Sequence, residues 1–421
     1  MSTALLEREY DVIVIGGGPA GSTAATILAQ HGRRVLVLEK DVFPRYHIGE
    51  SLLPYCYFPL KRLGMVDKLN ECGFVKKFSV QFVNVDGQQS VPFYFDTHMN
   101  HPAAQTWQVT RSKFDQMLLE NARDHGAAVV QGVAVSKLIV ENDTVVGVEV
   151  RLPEGGYREV RAPMTIDASG RDAVAINQFR WRVRDPYLDK MAIWTYWRNA
   201  KRDPGRDGGA TTVAYVPFKG WFWYIPLENN ITSVGIVAEK SYLFADSKDP
   251  KEIYHRQIQV NSWIADHVSV GEQFGKYYTT GEYSYRSRHC AMDGLVLIGD
   301  AFAFLDPVFS SGVFIALKSG EMAADVVHEA LNDNDVSAAR FSDYAEQLCS
   351  GIEAMRKLVY AFYDEAFSFG HFLKAHPEFR GDMTDCLIGH LFKDYDAMYA
   401  AVAKFAQVPA PLSHGRPQVC V

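Results

Sequence analysis

The amino-acid sequence predicts an α/β fold: a doubly wound domain interleaved with a mostly antiparallel β-sheet domain and followed by a helical C-terminal segment. Three observations lead there. Residues 10–40 read as strand, tight turn, helix and strand; aromatic and β-branched runs recur over about 78–110 and 185–285; from about 311 to 405 the apolar spacing is helical. With no internal repeat and no low-complexity linker, the domains are read as interleaved. Residues 1–77, 111–180 and 285–330 are assigned to the first, 78–110 and 181–284 to the second, and 331–421 to the C-terminal segment.

The elements follow in order. YDVIVIG (10–16) is an apolar run of buried-strand length, GGGPAGSTAATILAQHG (16–32) is a small-residue helix behind a glycine turn, and RRVLVLEK (33–40) is a second buried strand. In this βαβ unit Gly16, Gly18 and Gly21 stand at G-x-G-x-x-G spacing with Pro19 and Ala20 between them, and Glu39-Lys40 end the second strand. Glycines at those positions allow the turn, let backbone approach a pyrophosphate and let helix pack on strand, while the helix N-terminus supplies amide donors and a positive dipole. An acid about twenty residues on binds ribose hydroxyls, which favours FAD or NAD over NADP. Residues 111–128 are helical by spacing, and AVVQGVAVSKLIVENDTVVGVEVR and APMTIDASG read as strands returning to the first domain. FSVQFVNV, TTVAYVPF, GWFWYIPL and ITSVGIVAE build the second sheet, and GLVLIGD (294–300) is another buried strand. The Pro-rich tail after Val408 is expected to be loosely packed.

Composition narrows the function. The 421 residues are 48% hydrophobic and 22% charged, with 43 Lys+Arg against 50 Asp+Glu and a formal charge of -7, and no basic block marks a nucleic-acid binder. No run approaches the roughly 18 apolar residues of a membrane span, and the charged N-terminus MSTALLEREYD lacks a signal-peptide core, so a cytoplasmic chain starting near Met1 is expected. Cys56, Cys72, Cys290, Cys349, Cys386 and Cys420 are scattered and read as reduced thiols, and no metal site is expected.

Read together, GGGPAG (16–21), VTRSKFDQML (109–118), DASGR (167–171) and GDAFAFLDP (299–307) resemble the flavin-dependent monooxygenase superfamily and, within it, the flavin-dependent halogenases. The resemblance covers the chain up to about residue 330 and implies a Rossmann-like, GR2-type FAD-binding domain. In the family's pattern Arg111 belongs to the FAD site, Asp300 places a carboxylate on the ribityl chain, and the helix after Asp306-Pro307 points its N-terminus, with Gly312 and Val313, at the flavin ring, where a helix dipole stabilises anionic reduced flavin. His47, Gly49, Glu50 and Ser51 match the family's HxGES segment beside the flavin.

Three further segments resemble halogenases specifically. Gly220-Trp221-Phe222-Trp223-Tyr224-Ile225-Pro226 matches WxWxIP; alternation puts Trp221 and Trp223 on one strand face, and the family reading is a wall that keeps organic substrate from the flavin hydroperoxide. Lys77 in GFVKKFSVQF matches the family's lysine, with Lys76 as the adjacent competitor pointing the other way. DPVFSSGV (306–313) resembles halogenases of phenols and pyrroles, with the amides of Ser311 and Gly312 as a halide nest. Phe309 stands where tryptophan halogenases carry a glutamate, implying a ring that stabilises its own positive charge.

The resemblance implies FADH2 delivered by a separate NAD(P)H flavin reductase, oxidation of chloride or bromide to hypohalous acid, relay through Lys77, and halogenation of an electron-rich aromatic ring, either free or tethered to an acyl or peptidyl carrier protein. Alternatives are an aromatic hydroxylase, disfavoured because paired tryptophans obstruct the ring's approach; a geranylgeranyl-reductase-like flavoenzyme, which shares a GxxWxxP strand but needs neither Lys77 nor a halide nest; and a non-catalytic flavoprotein or carrier-binding module.

Overall fold

The structure, a computed structural model, describes residue 6 and residues 9–217, 220–281 and 284–419. The apolar runs at the N-terminus become the centre of a six-stranded sheet in the order 291–292, 295–297, 164–167, 12–15, 35–39, 128–131. Every pairing is parallel except that of the first two strands. The Pro19–Gln30 helix packs on this sheet, whose central strands are uninterrupted buried apolar residues over Val12–Ile15 and Val35–Leu38. The same helix packs against the long Gly312–Asn332 helix.

Gly16 adopts φ +100°, and a Cβ there would lie 2.5 Å from the Ala168 carbonyl oxygen. The nucleotide turn and the DASG segment can therefore approach only through a glycine. Ala168 completes the approach by donating its N–H to the Ile15 carbonyl at 2.9 Å.

The second sheet has seven strands in the order 272–280, 190–198, 231–239, 220–226, 211–216, 79–83, 93–94. All its pairings are antiparallel except that between Thr211–Val216 and Ser79–Val83. Its two faces bury different cores. On the Gly220–Pro226 strand Trp221, Trp223 and Ile225 join the core shared with the first sheet, whereas Phe222 and Tyr224 join a separate one behind it. That rear core is closed by the short helices Pro250–Ile258 and Ser262–Val268, in a region whose composition had suggested only strands. Thr106–Gln108, also expected in this sheet, instead pairs with Val75–Lys77 as a two-stranded ribbon. Of the 128–161 segment, only Ala128–Gln131 joins the parallel sheet; Ala134–Glu141, Thr144–Arg151 and Tyr157–Arg161 form a sheet of their own.

The tail corrects another expectation. Rather than hanging loose, residues 410–418 are bound along the body by a buried charge cluster. Arg286 donates to Glu353 at 2.9 Å and to the Leu412 carbonyl at 2.7 Å; Arg356 donates to Asp185 at 2.6 Å and to the Ala410 carbonyl at 3.0 Å. Two guanidiniums against the carboxylates of Glu353 and Asp185 keep the cluster neutral, so its burial is tolerated. Cys56, Cys72, Cys290, Cys349 and Cys386 are free thiols, while Cys420 lies outside the described residues. Among the described residues no helix is long and apolar enough to cross a membrane.

Removing Arg356 leaves the buried Asp185 carboxylate without its cation and takes away one of the tail's two arginine anchors. Arg356→Ala is expected to cost about 3–5 kcal/mol and to open the chain after Val408 to limited proteolysis. A variant with unchanged melting temperature and an intact tail contradicts this.

Candidate active site

An elongated cavity of about 1040 Å³ runs from the end of the second strand to the tryptophan strand. At one end lies Glu39, whose carboxylate accepts from the Gly17 amide at 2.7 Å and the Asp41 amide at 2.8 Å. It is thus held in place beside the glycine turn, ready for a ribose. Lys40 also lines this end and pairs with Asp172. Gly16, Gly18, Pro19 and Ala20 form the floor, where the helix presents its N-terminus. Gly21 acts from below, since a Cβ there would meet the Gly16 carbonyl oxygen at 2.0 Å.

Farther along, Arg111 grips Asp115 through two hydrogen bonds of 2.7 and 2.9 Å and donates to the Ile48 and Gly49 carbonyls at 2.7 and 3.2 Å. One arginine thereby fixes the His47–Ser51 loop on the cavity wall. Asp300 lines the same stretch, its carboxyl pushed up to about 6 by burial. Pro307, Gly312 and Val313 close the far end at the start of the Gly312–Asn332 helix. Acid at the ribose end, amides and a helix dipole at mid-length, and a flat aromatic wall at the far end fit FAD as to adenosine, pyrophosphate and flavin ring.

The wall is made of Trp221 and Trp223, 6.1 Å between ring centroids, with Trp194 another 6.1 Å from Trp223. Each indole N–H is spoken for: Trp223 donates to Ser233 at 3.0 Å and Trp221 to the Tyr363 hydroxyl at 2.8 Å. Gly235 makes room for the wall, since a Cβ there would lie 2.3 Å from the Trp223 ring. Tyr363 in turn donates to Asp306 at 2.9 Å, so the end of the Ser342–Tyr363 helix ties the wall to the loop that leads into the Gly312 helix. Nothing in the local sequence around Tyr363 signals this role, which depends on a helix 142 residues from the tryptophan it holds.

Behind the wall lies a second, much smaller cavity of about 30 Å³, lined by Leu53, Val80, Phe82, Phe93, Phe95, Phe309 and Leu387 around a single cation, Lys77. Strand alternation decides between the paired lysines: Lys76 is exposed, whereas Lys77 is 1% exposed. Lys77 Nζ donates to Ser51 Oγ at 2.8 Å and to the Leu52 carbonyl at 3.2 Å, and Ser51 Oγ lies 2.8 Å from Thr211 Oγ1. Burial pushes the Lys77 ammonium down to about 7. Ser51 lines the large cavity, Lys77 the small one, and Thr211 both. A chain of polar atoms therefore joins the large, partly charged cavity to the small, mostly apolar one.

In the 306–313 loop the structure refines the sequence reading. Ser310, held at φ +57°, lines both cavities, and Gly312 lines the large one; Ser311 is buried at the helix start between them. Ser310, Thr211 and Trp194 are cavity residues that motif reading passed over. The first sits inside a matched motif; the others lie on strands that only the sheet brings to the site.

A profile of the family described as tryptophan halogenase matches residues 11–103 and 90–367. A 1H-pyrrole-2-carbonyl-[peptidyl-carrier protein] chlorinase of Pseudomonas fluorescens is 30% identical over 97% of this chain and 96% of its own. The corresponding brominase of Pseudoalteromonas luteoviolacea is 31% identical over 91% and 93%. Among solved structures, the flavin-dependent brominase Bmp2 superposes with a TM-score of 0.85 at 28% identity, covering 94% of this chain and 97% of the other. The chondrochloren halogenase CndH superposes at 0.79 with 33% identity, covering 85% and 83%.

The buried lysine makes a signed stability prediction. Because its folded value lies below the usual 10.5, the native state binds fewer protons than the unfolded chain between about 7 and 10.5. The cost of the buried charge, several kcal/mol, is fully present below about 7 and fades as pH rises towards 10.5. Lys77→Met should therefore melt higher than the parent in mild acid, with the gain shrinking in alkali. A gain that grows with pH contradicts the assignment.

Proposed function

The chain belongs to the tryptophan halogenase family of flavin-dependent enzymes, and from that premise we propose that it halogenates an electron-rich pyrrole or phenol ring at the Lys77 pocket. The cofactor is FAD and the co-substrate a halide, chloride or bromide. When bound in its reduced form, the cofactor supplies two of the four electrons that reduce molecular oxygen to water, and the halide supplies the other two. The observation that carries the reading is the buried contact Lys77–Ser51–Thr211 between a cavity that fits FAD and an apolar pocket walled by phenylalanines.

Each part of the chain then has a task. Arg111 and Glu39 hold the cofactor's polar length, and the Gly312 helix start directs its dipole at the halide and the flavin ring. Trp221 and Trp223 keep the organic ring out of the cofactor cavity. Lys77 receives the oxidised halogen at Nζ, whose lowered basicity leaves a lone pair to hold it, and presents it to the ring beneath Phe95 and Phe309. Phe309 stands in a pocket whose described lining holds no carboxylate to stabilise a cationic ring, so the substrate must stabilise that charge itself.

A pyrrole carried on a peptidyl carrier protein is the favoured substrate, because relatives that span nearly the whole chain are named for it. A cytoplasmic NAD(P)H flavin reductase supplies the reduced flavin on this reading, since the sequence carries one dinucleotide turn and FAD uses it.

The test is to supply reduced flavin, oxygen and bromide or chloride with pyrrole-carrier, free pyrrole and phenol substrates. Halide-dependent product is expected, and Lys77→Ala should lose it by about 10²-fold or more while still binding FAD and consuming oxygen. Trp221→Ala should divert turnover to hydroxylated product or free peroxide. Hydroxylation without halide in the parent, or an unchanged product profile in both variants, would refute the reading.

A further inference from the structure

Glu50 is 3% exposed and lines the cofactor cavity. Its Oε1 accepts the Tyr196 hydroxyl at 2.7 Å; its Oε2 is buried and, among the described residues, unpartnered in hydrogen-bonding geometry. The Tyr196 hydroxyl lies 3.0 Å from that of Tyr46, which also accepts from Trp194 at 2.7 Å. Tyr46 is 45% exposed and stacks on Tyr278 at the rim, with centroids 4.5 Å apart. A line of hydroxyls thus leads from solvent to one oxygen of a buried carboxyl in the cavity wall, whose other oxygen makes no hydrogen bond among the described residues.

The reaction needs such a path. FADH2, O2, a halide ion, one proton and an aromatic C–H go to FAD, a carbon–halogen bond and two waters; halide is oxidised, oxygen reduced, and one proton enters from outside. We propose that Glu50 is the proton-exchange group of this site, supplied from solvent through Tyr46 and Tyr196. A proton leaves Glu50 Oε2 into the cavity as Tyr196 passes its own to Oε1 and takes a replacement from Tyr46. The proton finishes in water.

The surroundings suit the task. Burial pushes the Glu50 carboxyl up to about 7, against the opposing pull of the Tyr196 and Ser233 hydroxyls and the Arg111 guanidinium. Arg111 spends most of its charge on Asp115, which leaves Glu50 able to hold a proton near neutrality. The titratable and polar groups that act on the Glu50 carboxyl come from three elements: the Lys190–Arg198 strand through Tyr196, the Ile231–Glu239 strand through Ser233, and the helix of Arg111. The Val109 amide meets only the Glu50 backbone carbonyl.

The inference rests on the halogenase reading, whose failure shows as no halide-dependent product in the parent. Failure of the relay shows differently. Infrared titration of the protein without FAD should reveal a protonated carboxyl that ionises near neutrality and is absent in Glu50→Gln. With FAD, Glu50→Gln should halogenate about tenfold more slowly or worse and lose the corresponding limb of the pH profile, at unchanged FAD affinity. Tyr46→Phe and Tyr196→Phe should keep the infrared titration yet slow turnover with an enlarged solvent isotope effect. Parent-like turnover and pH profile in Glu50→Gln, or an infrared titration of the variant that superimposes on the parent's, would overturn the proposal. So would a collapse of FAD affinity in Glu50→Gln with both tyrosine variants fully active.

Discussion

The arrangement of the site depends on one buried hydrogen bond, from Lys77 Nζ to Ser51 Oγ. A lysine without solvent survives in a fold only if its polar end is satisfied or its proton surrendered, and this site uses both means. The bond also joins the two halves of the molecule. Ser51 belongs to the loop fixed by Arg111 on the parallel-sheet side, whereas Thr211, its other partner, starts a strand of the seven-stranded sheet. Loss of register in either sheet would separate the cofactor cavity from the Lys77 pocket.

Containment is achieved by close packing rather than by charge. Trp221, Trp223 and Trp194 form a continuous aromatic surface, and a missing Cβ at Gly235 lets the middle ring seat against the strand. The C-terminal helices brace that surface from outside. Phe362 lies stacked on Tyr215 at 5.1 Å and meets Phe309 edge-on at 5.7 Å, while its neighbour Tyr363 holds Trp221 and Asp306. One helix end therefore touches the small Lys77 pocket, the wall and the 306–313 loop together.

What could be read from sequence divides by range. The glycine turn, Glu39 and the tryptophan pair rest on spacings within one βαβ unit or one strand, where backbone geometry leaves few options. The choice of Lys77 over Lys76 rests instead on a spacing from Gly73 and Phe82 that resembles the family's, alternation saying only that the two point apart. Ser310 shows the limit of such reading: the motif is local, but a left-handed residue inside it turns a different serine to the cavity than helix-start logic suggests. Tyr363, Tyr196 and the bound tail were illegible because each depends on partners more than fifty residues away. The tail misleads for a further reason. Its Pro-rich composition describes a segment that makes no helix or sheet, yet its carbonyls are held by arginines buried in the body.

The central claim is that oxidised halogen passes along Ser51 and Thr211 to Lys77 and is held there. The most direct measurement reacts the protein with reduced flavin, oxygen and bromide in the absence of any aromatic substrate, separates small molecules, and titrates the protein for oxidising bromine. The expected result is oxidant retained by the parent, diminished in Ser51→Ala and absent in Lys77→Ala. Oxidant found only in the small-molecule fraction of the parent, or retained equally by Lys77→Ala, would contradict the account.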